Sequence, residues 1–307
     1  MGRQTPTDLR IGTRASTLAL TQTGIVVDAL HRAAAQHEIE LRTEVVHIRT
    51  TGDAVTDRPF EDIGPKGVFA VELQRALLDD RIDVAVHSLK DMPTTEPEGL
   101  KIIAVCERED ARDVLVSRDG TTLDSLPAGG VVGTSSARRR ALVAIHRPDL
   151  RTEMLRGNVD TRLEKVARGD VDAAMLAAAG LIRLGRADAV THWLDPTDFV
   201  PPPGQGALAV ECRSDRDGLA WLRDAEHAAT RACTDAERAF TQIIEGSCEV
   251  PLGVWARYED GEIVCDGFVA SLNDSARYLR DRASGSVPAD VGAELAQRMI
   301  DAGVKDL

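Results

Sequence analysis

The sequence predicts an α/β protein of more than one domain, and three observations carry that expectation. At 307 residues the chain is long enough for two or three domains, each burying its own core. Amphipathic helical patterns alternate with short apolar runs of the kind that form buried strands of an α/β sheet. A proline-rich stretch, LDPTDFVPPPGQG (194–206), then breaks the alternation before a closing helix-and-hairpin section, which reads as a small α+β domain.

The elements run in order. Leu18, Gln22, Ile25, Val26, Ala29 and Leu30 fall at helical spacing after Ser16, a capping residue type, and LRTEVVHI (41–48) is strand-like, so the chain opens β-α-β. FAVELQRALLDD (69–80) is a second helix and IDVAVHS (82–88) a buried strand, with LKDMP as the loop after it. After CERED (106–110) the pattern restarts. DVLV and VVGTS (131–135) are strands, SSARRRALVAI begins a helix capped by serine, RGNVDTRLEKVARG (156–169) is helical, and DAAMLAAAG (172–180) is either strand or helix. GALAVECR (206–213) is a strand, and DAEHAATRACTDAERAFTQIIEG (224–246) is one long helix with Gly246 placed to cap it. VWARY and EIVCDGFVAS flank EDG, a hairpin signal, and ADVGAELAQRMIDAG (289–303) is a terminal helix.

Composition removes several function classes. No window approaches the roughly 18 consecutive apolar residues of a membrane span, and no apolar stretch comes after the first basic residues, so a cytoplasmic protein without membrane partners is expected. Five cysteines, at 106, 212, 233, 248 and 265, are odd in number and lack CxxC spacing, and the seven histidines form no HExxH or HxH pair. Reduced thiols and no metal site are therefore expected. A net charge of -13 with only 3% aromatic residues argues against a nucleic-acid partner.

The positive charges that remain are grouped. SSARRR puts hydroxyls, free backbone N–H groups and guanidiniums at one helix start, an arrangement suited to carboxylates or phosphates. No phosphate-loop glycine pattern surrounds it. HSLKDMP (87–93) sets Lys90 beside Asp91 after a buried strand, where α/β proteins place ligand-facing residues, although a Lys-Asp pair before proline is equally the composition of a solvated turn. GPKGVF (64–69), LRGN (155–158) and GLIRLG (180–185) place single cations beside glycines. EGSCEVP (245–251) sets Cys248 just past a helix end, a place for a reactive thiol or for a small buried hydrophobe.

Read in order, RIGTRAS (10–16), LALTQ, TTGD, KGVF, AVHSLKDMP (85–93), CERED, GTSSARR (133–139), LRGNVDTRL (155–163), AAAGLIRLG, GQGALAVECR (204–213) and EGSCEVP make the chain resemble the porphobilinogen deaminase, or hydroxymethylbilane synthase, family over nearly its full length. The resemblance implies a monomeric cytoplasmic transferase of tetrapyrrole (porphyrin, haem) biosynthesis with three domains. The first two would resemble two-lobed type II periplasmic binding proteins with the active cleft between them. Residues 8–106 plus about 206–223 would form domain 1, 110–200 domain 2, and 226–307 a small α+β domain 3. It further implies a dipyrromethane cofactor joined by a thioether to Cys248, onto which four porphobilinogen molecules are condensed with loss of ammonia before hydrolysis releases the linear product.

By the same resemblance Asp91 is catalytic, and Lys90, Asp91, Thr134, Ser135, Ser136, Arg138, Arg139 and Arg162 hold the cofactor. Arg14, Ser16, Arg156, Arg183 and Gln205 hold substrate, and Lys66 and Phe69 belong to a loop that closes on it. Each pyrrole carries an acetate and a propionate, which arginine and lysine are suited to bind and neutralise. The chain departs from common family patterns at Asp62, Pro65, the PPPGQG segment, Ser247 and Glu249. A non-catalytic two-lobed protein that captures or senses small anions would use the same cations without a cysteine adduct. A cysteine hydrolase would need a histidine beside Cys248, and no hydrolase motif supports it.

Overall fold

The computed structural model describes residues 7–49, 70–245, 251–272, 274 and 276–307. They divide into two compact units, Met1–Arg108 with Ala207–Arg231 and Glu109–Gly206 with Ala232–Leu307. The first segment contributes β1 (Thr7–Thr13), α1 (Thr17–Gln36), β2 (Leu41–His47), α2 (Val71–Leu78), β3 (Val84–Ser88) and β4 (Leu100–Val105). The chain continues through β5 (Asp113–Ser117), β6 (Val131–Gly133), α3 (Ala137–His146), β7 (Arg151–Glu153), α4 (Val159–Arg168), β8 (Ala173–Ala177), α5 (Ala178–Arg183) and β9 (His192–Trp193). After the proline-rich stretch come β10 (Leu208–Arg213), α6 (Ala228–Glu245), β11 (Leu252–Glu259), β12 (Glu262–Ala270), β13 (Tyr278–Gly285) and α7 (Pro288–Asp301).

The first unit is built on a five-stranded sheet of order β2-β1-β3-β10-β4, in which β2, β1 and β3 run parallel and β10 runs antiparallel to both its neighbours. Ser16 caps α1, its Oγ accepting from Ala19 N at 3.3 Å, and the helix buries Val26, Leu30 and Ala33 with Leu9, Ile11 and Val210 of the sheet. α2 covers strand residues with Leu73, Ala76 and Leu77. Gly12 lies under this helix, where a Cβ would meet Ile82 Cδ1 at 2.2 Å.

The second unit holds two sheets. One repeats the pattern of the first, with order β7-β6-β8-β5-β9, parallel β7, β6 and β8, and an antiparallel β5 in fourth place. In each five-stranded sheet the antiparallel fourth strand is the one that adjoins a crossing of the chain between units. The other sheet is an antiparallel meander, β11-β12-β13. Its central strand is buried from Ile263 onward because it is covered on both faces. Phe268 and Ala270 join the core of the five-stranded sheet, and Cys265 and Val269 join a separate core with Phe240 of α6 and Leu295 of α7. The EDG hairpin signal corresponds to the turn joining β11 and β12, where Asp260 and Gly261 both have positive φ, 51° and 88°, as a tight two-residue hairpin turn requires.

The α/β class with a small α+β part is therefore the class observed. Residues 172–180, left open between strand and helix, are both: β8 ends at Ala177 and α5 begins at Ala178. Strands β4, β7, β9 and β13 carry no assignment in the sequence reading, for physical reasons. β4 is a continuous apolar run that periodicity does not separate from a helix, and β7 and β9 are too short to show a period. β13 is an edge strand in which only Ala283 is buried, so it has no apolar alternation to read. The long helix begins at Ala228, preceded by a 3₁₀ segment from Asp217 to Ala225, and the expected cap Gly246 lies outside the described residues.

Candidate active site

In the first unit β1 and β3 are parallel neighbours, so the residues following each strand emerge at one edge of the sheet. After β1 come Arg14 and Ser16; after β3 a single 3₁₀ turn, Leu89–Asp91, carries Lys90 and Asp91. β10 starts at the same edge, with Leu208 opposite Ser88. Arg14 and Asp91 line one pocket there, together with Gln22, His87 and Ser88. Ser88 Oγ donates to Gln22 Oε1 at 3.2 Å. Ser16 has its hydroxyl on the helix cap, and Lys90 is exposed beside the pocket rather than part of its wall. Gln22, His87 and Ser88 are not singled out by the sequence. They lie inside LALTQ and AVHSLKDMP, where the apolar pattern reads them as helix and strand positions.

The second unit repeats this edge geometry with cations. β6, β7 and β8 are parallel, and their C-terminal ends lead into Thr134 to Ser136, Leu155 and Arg156, and α5 with Arg183. Asp113, the first residue of β5, lies opposite Ala177, the last of β8, and so reaches the same edge. Ser135 Oγ donates to Leu155 O at 2.7 Å, Thr134 Oγ1 accepts from Ser136 N at 3.2 Å, and Ser136 Oγ accepts from Arg139 N at 3.4 Å as the cap of α3. Asn158 caps α4 in the same way, its Oδ1 accepting from Thr161 N at 2.9 Å.

The anion that meets the first turn of α3 is supplied by the chain itself. Arg138 Nη2 donates to Asp113 Oδ2 and Arg139 Nη2 to Asp113 Oδ1, each at 2.7 Å, with all three side chains buried. Burial by itself pushes the Asp113 carboxyl up, but the charges of Arg138 and Arg139 outweigh it and hold the group well below the usual carboxylate range. Arg138 also donates to Val200 O at 2.7 Å and Arg139 to Met175 O at 2.9 Å. Gln205 is wholly buried, its Nε2 donating to Ala111 O at 2.7 Å and Asp113 Oδ1 at 2.9 Å, so among these residues it supports the Asp113 unit. Arg183 donates to Gly206 O at 2.6 Å.

Arg162 differs from its neighbours. Its Nε donates to Gly157 O at 2.9 Å, and no carboxylate among the described residues forms an ion pair with it. Burial, then the like charges of Arg139 and Arg156, pull it down to about 10, still far above neutrality, so it stays a cation within the field of two others. Arg138 Nε and Arg139 Nε are likewise buried without a hydrogen-bond partner among the described residues. Such a cluster gains from an added carboxylate.

Lys66, Phe69 and Cys248 lie outside the described residues. The four cysteines within them, Cys106, Cys212, Cys233 and Cys265, are buried, and burial pushes the Cys212 thiol up to about 11 and that of Cys265 well above its ordinary range. Those two are poor nucleophiles. Among the described residues no group of three or more His, Cys, Asp or Glu side chains is placed to hold a metal ion, and no helix is long and apolar enough to cross a membrane.

Comparison with known proteins adds the decisive observation. Residues 9–220 match the family model described as porphobilinogen deaminase, dipyromethane cofactor binding domain, and residues 231–301 match porphobilinogen deaminase, C-terminal domain. The chain belongs to the porphobilinogen deaminase family. A porphobilinogen deaminase from Brevibacillus brevis is 44% identical over 300 residues, covering 97% of this chain and 96% of that protein. One from Desulforudis audaxviator is 46% identical over 300 residues with the same coverage. Among solved structures, the periplasmic VFT2 domain of Bordetella pertussis BvgS aligns over 71% of this chain and 85% of its own, with 15% identity and a TM-score of 0.41.

The arginine cluster fits the group that this family binds. A dipyrromethane carries several carboxylates, and Arg162 offers a cation that pairs with no carboxylate among the described residues, whereas Arg139 is held by Asp113.

Proposed function

We propose that this chain is a transferase that condenses four porphobilinogen molecules head to tail, with release of ammonia, and hydrolytically frees a linear hydroxymethylbilane. Family membership over almost the whole chain supports the reaction class. The observation that carries the assignment to these residues is Arg162, whose Nε donates to Gly157 O and which forms no ion pair with a carboxylate among the described residues.

Cys248 is the residue that would hold the dipyrromethane, through a thioether, with Lys90, Thr134, Ser135, Arg138, Arg139 and Arg162 around its carboxylates. When bound, that group supplies the free pyrrole carbon on which the product grows. Asp91 accepts pyrrole N–H groups, stabilises positive charge as it develops, and takes part in moving the proton lost at the new bond. Arg14 shares the pocket of Asp91 and offers a cation to a substrate acetate or propionate. Arg156 and Arg183 act on later carboxylates of the growing chain, and Gln205 keeps Asp113 in place so that Arg138 and Arg139 stay oriented. Lys66 and Phe69 belong to the segment that closes over substrate.

Residues 226–307 act as the domain that presents Cys248, while 8–106 with about 206–223, and 110–200, handle substrate. The insertion of β10 between β3 and β4 and the separate core shared by α6, α7 and the meander support that division. The enzyme works as a cytoplasmic monomer, and without nucleic acid, the last of these supported by the net charge of -13. Incubation of the holoprotein with porphobilinogen, followed by measurement of ammonia and of the linear tetrapyrrole, tests the function. Binding of porphobilinogen without release of ammonia would instead favour an anion-capturing protein.

A further inference from the structure

Glu211 of β10 is fully buried, and its carboxylate has partners on two facing elements. Gln74 Nε2 of α2 donates to Oε1 at 3.0 Å, and His87 Nε2 of β3 lies 3.0 Å from Oε2. Glu211 pairs opposite Ala85 and His87 opposite Ala209, so strand alternation turns both side chains to one sheet face. With Glu211 Oε2 as the acceptor, the imidazole hydrogen lies on Nε2 and a lone pair remains on Nδ1, the tautomer the test below reads. The same ring lines the pocket that holds Arg14 and Asp91, and Nδ1 has no hydrogen-bond partner among the described residues. A buried carboxylate hydrogen-bonded to a histidine that lines a site is the arrangement of a supported base.

We propose that Glu211 and Gln74 hold His87 as the second proton acceptor of this pocket, beside Asp91. The inference rests on the condensation reaction proposed above. In each condensation the aminomethyl C–N bond breaks and nitrogen leaves with the bonding pair as ammonia. A C–C bond forms at the acceptor pyrrole carbon, and the C–H bond there then breaks, returning its electron pair to the ring and its proton to a base. His87 Nδ1 receives that proton, directly or from Asp91, and Glu211 balances the imidazolium charge until the proton passes to water or to the ammonia already released. The charged groups that contact the ring or line its pocket are Glu211 from β10, Arg14 and Asp91; α1 and α2 contribute the neutral Gln22 and Gln74.

The test joins spectroscopy to kinetics on the holoprotein. With histidine labelled by nitrogen-15, the signal lost in His87→Ala is expected to report a hydrogen on Nε2 and a bare Nδ1; a hydrogen on Nδ1 overturns the proposal. His87→Ala is expected to lower kcat by about 10²-fold with little change in KM, and added imidazole to restore about tenfold of it. Glu211→Gln keeps the shape of the buried pair and is expected to lower kcat by roughly tenfold and to mix the two tautomers. It decides the matter should His87→Ala fail to fold. A structural role alone would lower thermal stability but leave kcat in folded protein near wild type and give no imidazole rescue. Wild-type turnover with unaffected variants overturns this inference alone, whereas a wild-type holoprotein that releases no ammonia overturns the functional reading with it.

Discussion

Arg138 Nη2 donates to Asp113 Oδ2 at 2.7 Å with the arginine side chain 5% exposed and the aspartate side chain fully buried. A charge pair this far from water gains little over an apolar pair of the same shape, yet loses much when one partner is removed. Its value here is placement, since Asp113 takes a second arginine on its other oxygen and sets the first turn of α3 at the edge of the sheet.

Asp113→Asn leaves two buried guanidiniums short of their counter-charge and is expected to destabilise the protein by about 3–5 kcal/mol in urea unfolding. The pH dependence has a definite sign. The folded-state carboxyl titrates below its unfolded value of about 3.9, so its contribution is fully present above that pH and is lost as pH falls through the folded value. The variant should therefore lose less stability than wild type between neutral pH and the acid range, as read by melts at a series of pH values.

Arg162→Met removes a cation that burial and the like charges of Arg139 and Arg156 disfavour. The unloaded protein should melt no lower than wild type. In the holoprotein, loss of one charge-assisted hydrogen bond to a dipyrromethane carboxylate, about 1.5–3 kcal/mol, should shrink the gain in melting temperature that the bound group gives the wild type. A lower melting temperature of the unloaded protein with that gain unchanged would assign Arg162 to the scaffold.

Asp91→Ala should reduce ammonia release by on the order of 10²–10⁴-fold while the protein stays folded, and Asp91→Glu should keep measurable turnover because the carboxylate is preserved. A near-normal rate in the alanine variant would remove Asp91 from the chemistry.

Cys248→Ser should abolish the covalent dipyrrole addition seen by intact mass spectrometry of the wild-type protein, and with it the activity. An addition that persists in the variant would place the attachment elsewhere.

Gly253 faces the backbone of the proline-rich stretch. A Cβ there would sit 2.5 Å from Val200 O and 3.2 Å from Arg138 Cδ, while Val254 N donates to Pro201 O at 2.8 Å on the same strand. Gly253→Ala should cost about 1–3 kcal/mol in equilibrium unfolding, because the obstructing atom belongs to main chain that cannot turn aside.

Much of the scaffold was legible because its signals are local. Ser16 and Ser136 cap helices as their positions suggest, and EDG makes the turn that a hairpin needs. Edge strand β13 was not legible, since a strand covered on one face and rich in Arg and Asp has no apolar period. At the site, SSARRR announced an excess of positive charge at a helix start, but not that Asp113, 25 residues before Arg138, supplies the anion for two of its arginines. His87 and Glu211, 124 residues apart, gave no signal of a pair because a buried polar residue in an apolar run looks like a pattern error until its partner is known.

By itself the sequence determined the element types, the absence of any long apolar span, and, through its ordered motifs, the family and the residue types that carry the chemistry. Those properties depend on neighbours a few positions apart or on motifs kept whole. Tertiary structure alone decided which arginines are paired within the protein and which face a like-charged cluster, and it decided that β10 returns to bring Glu211 beneath α2 against His87. Pairing of charges depends on burial and on ångström distances between strands far apart in the chain, and the energy of each contact exists only after the backbone has folded to bring them together.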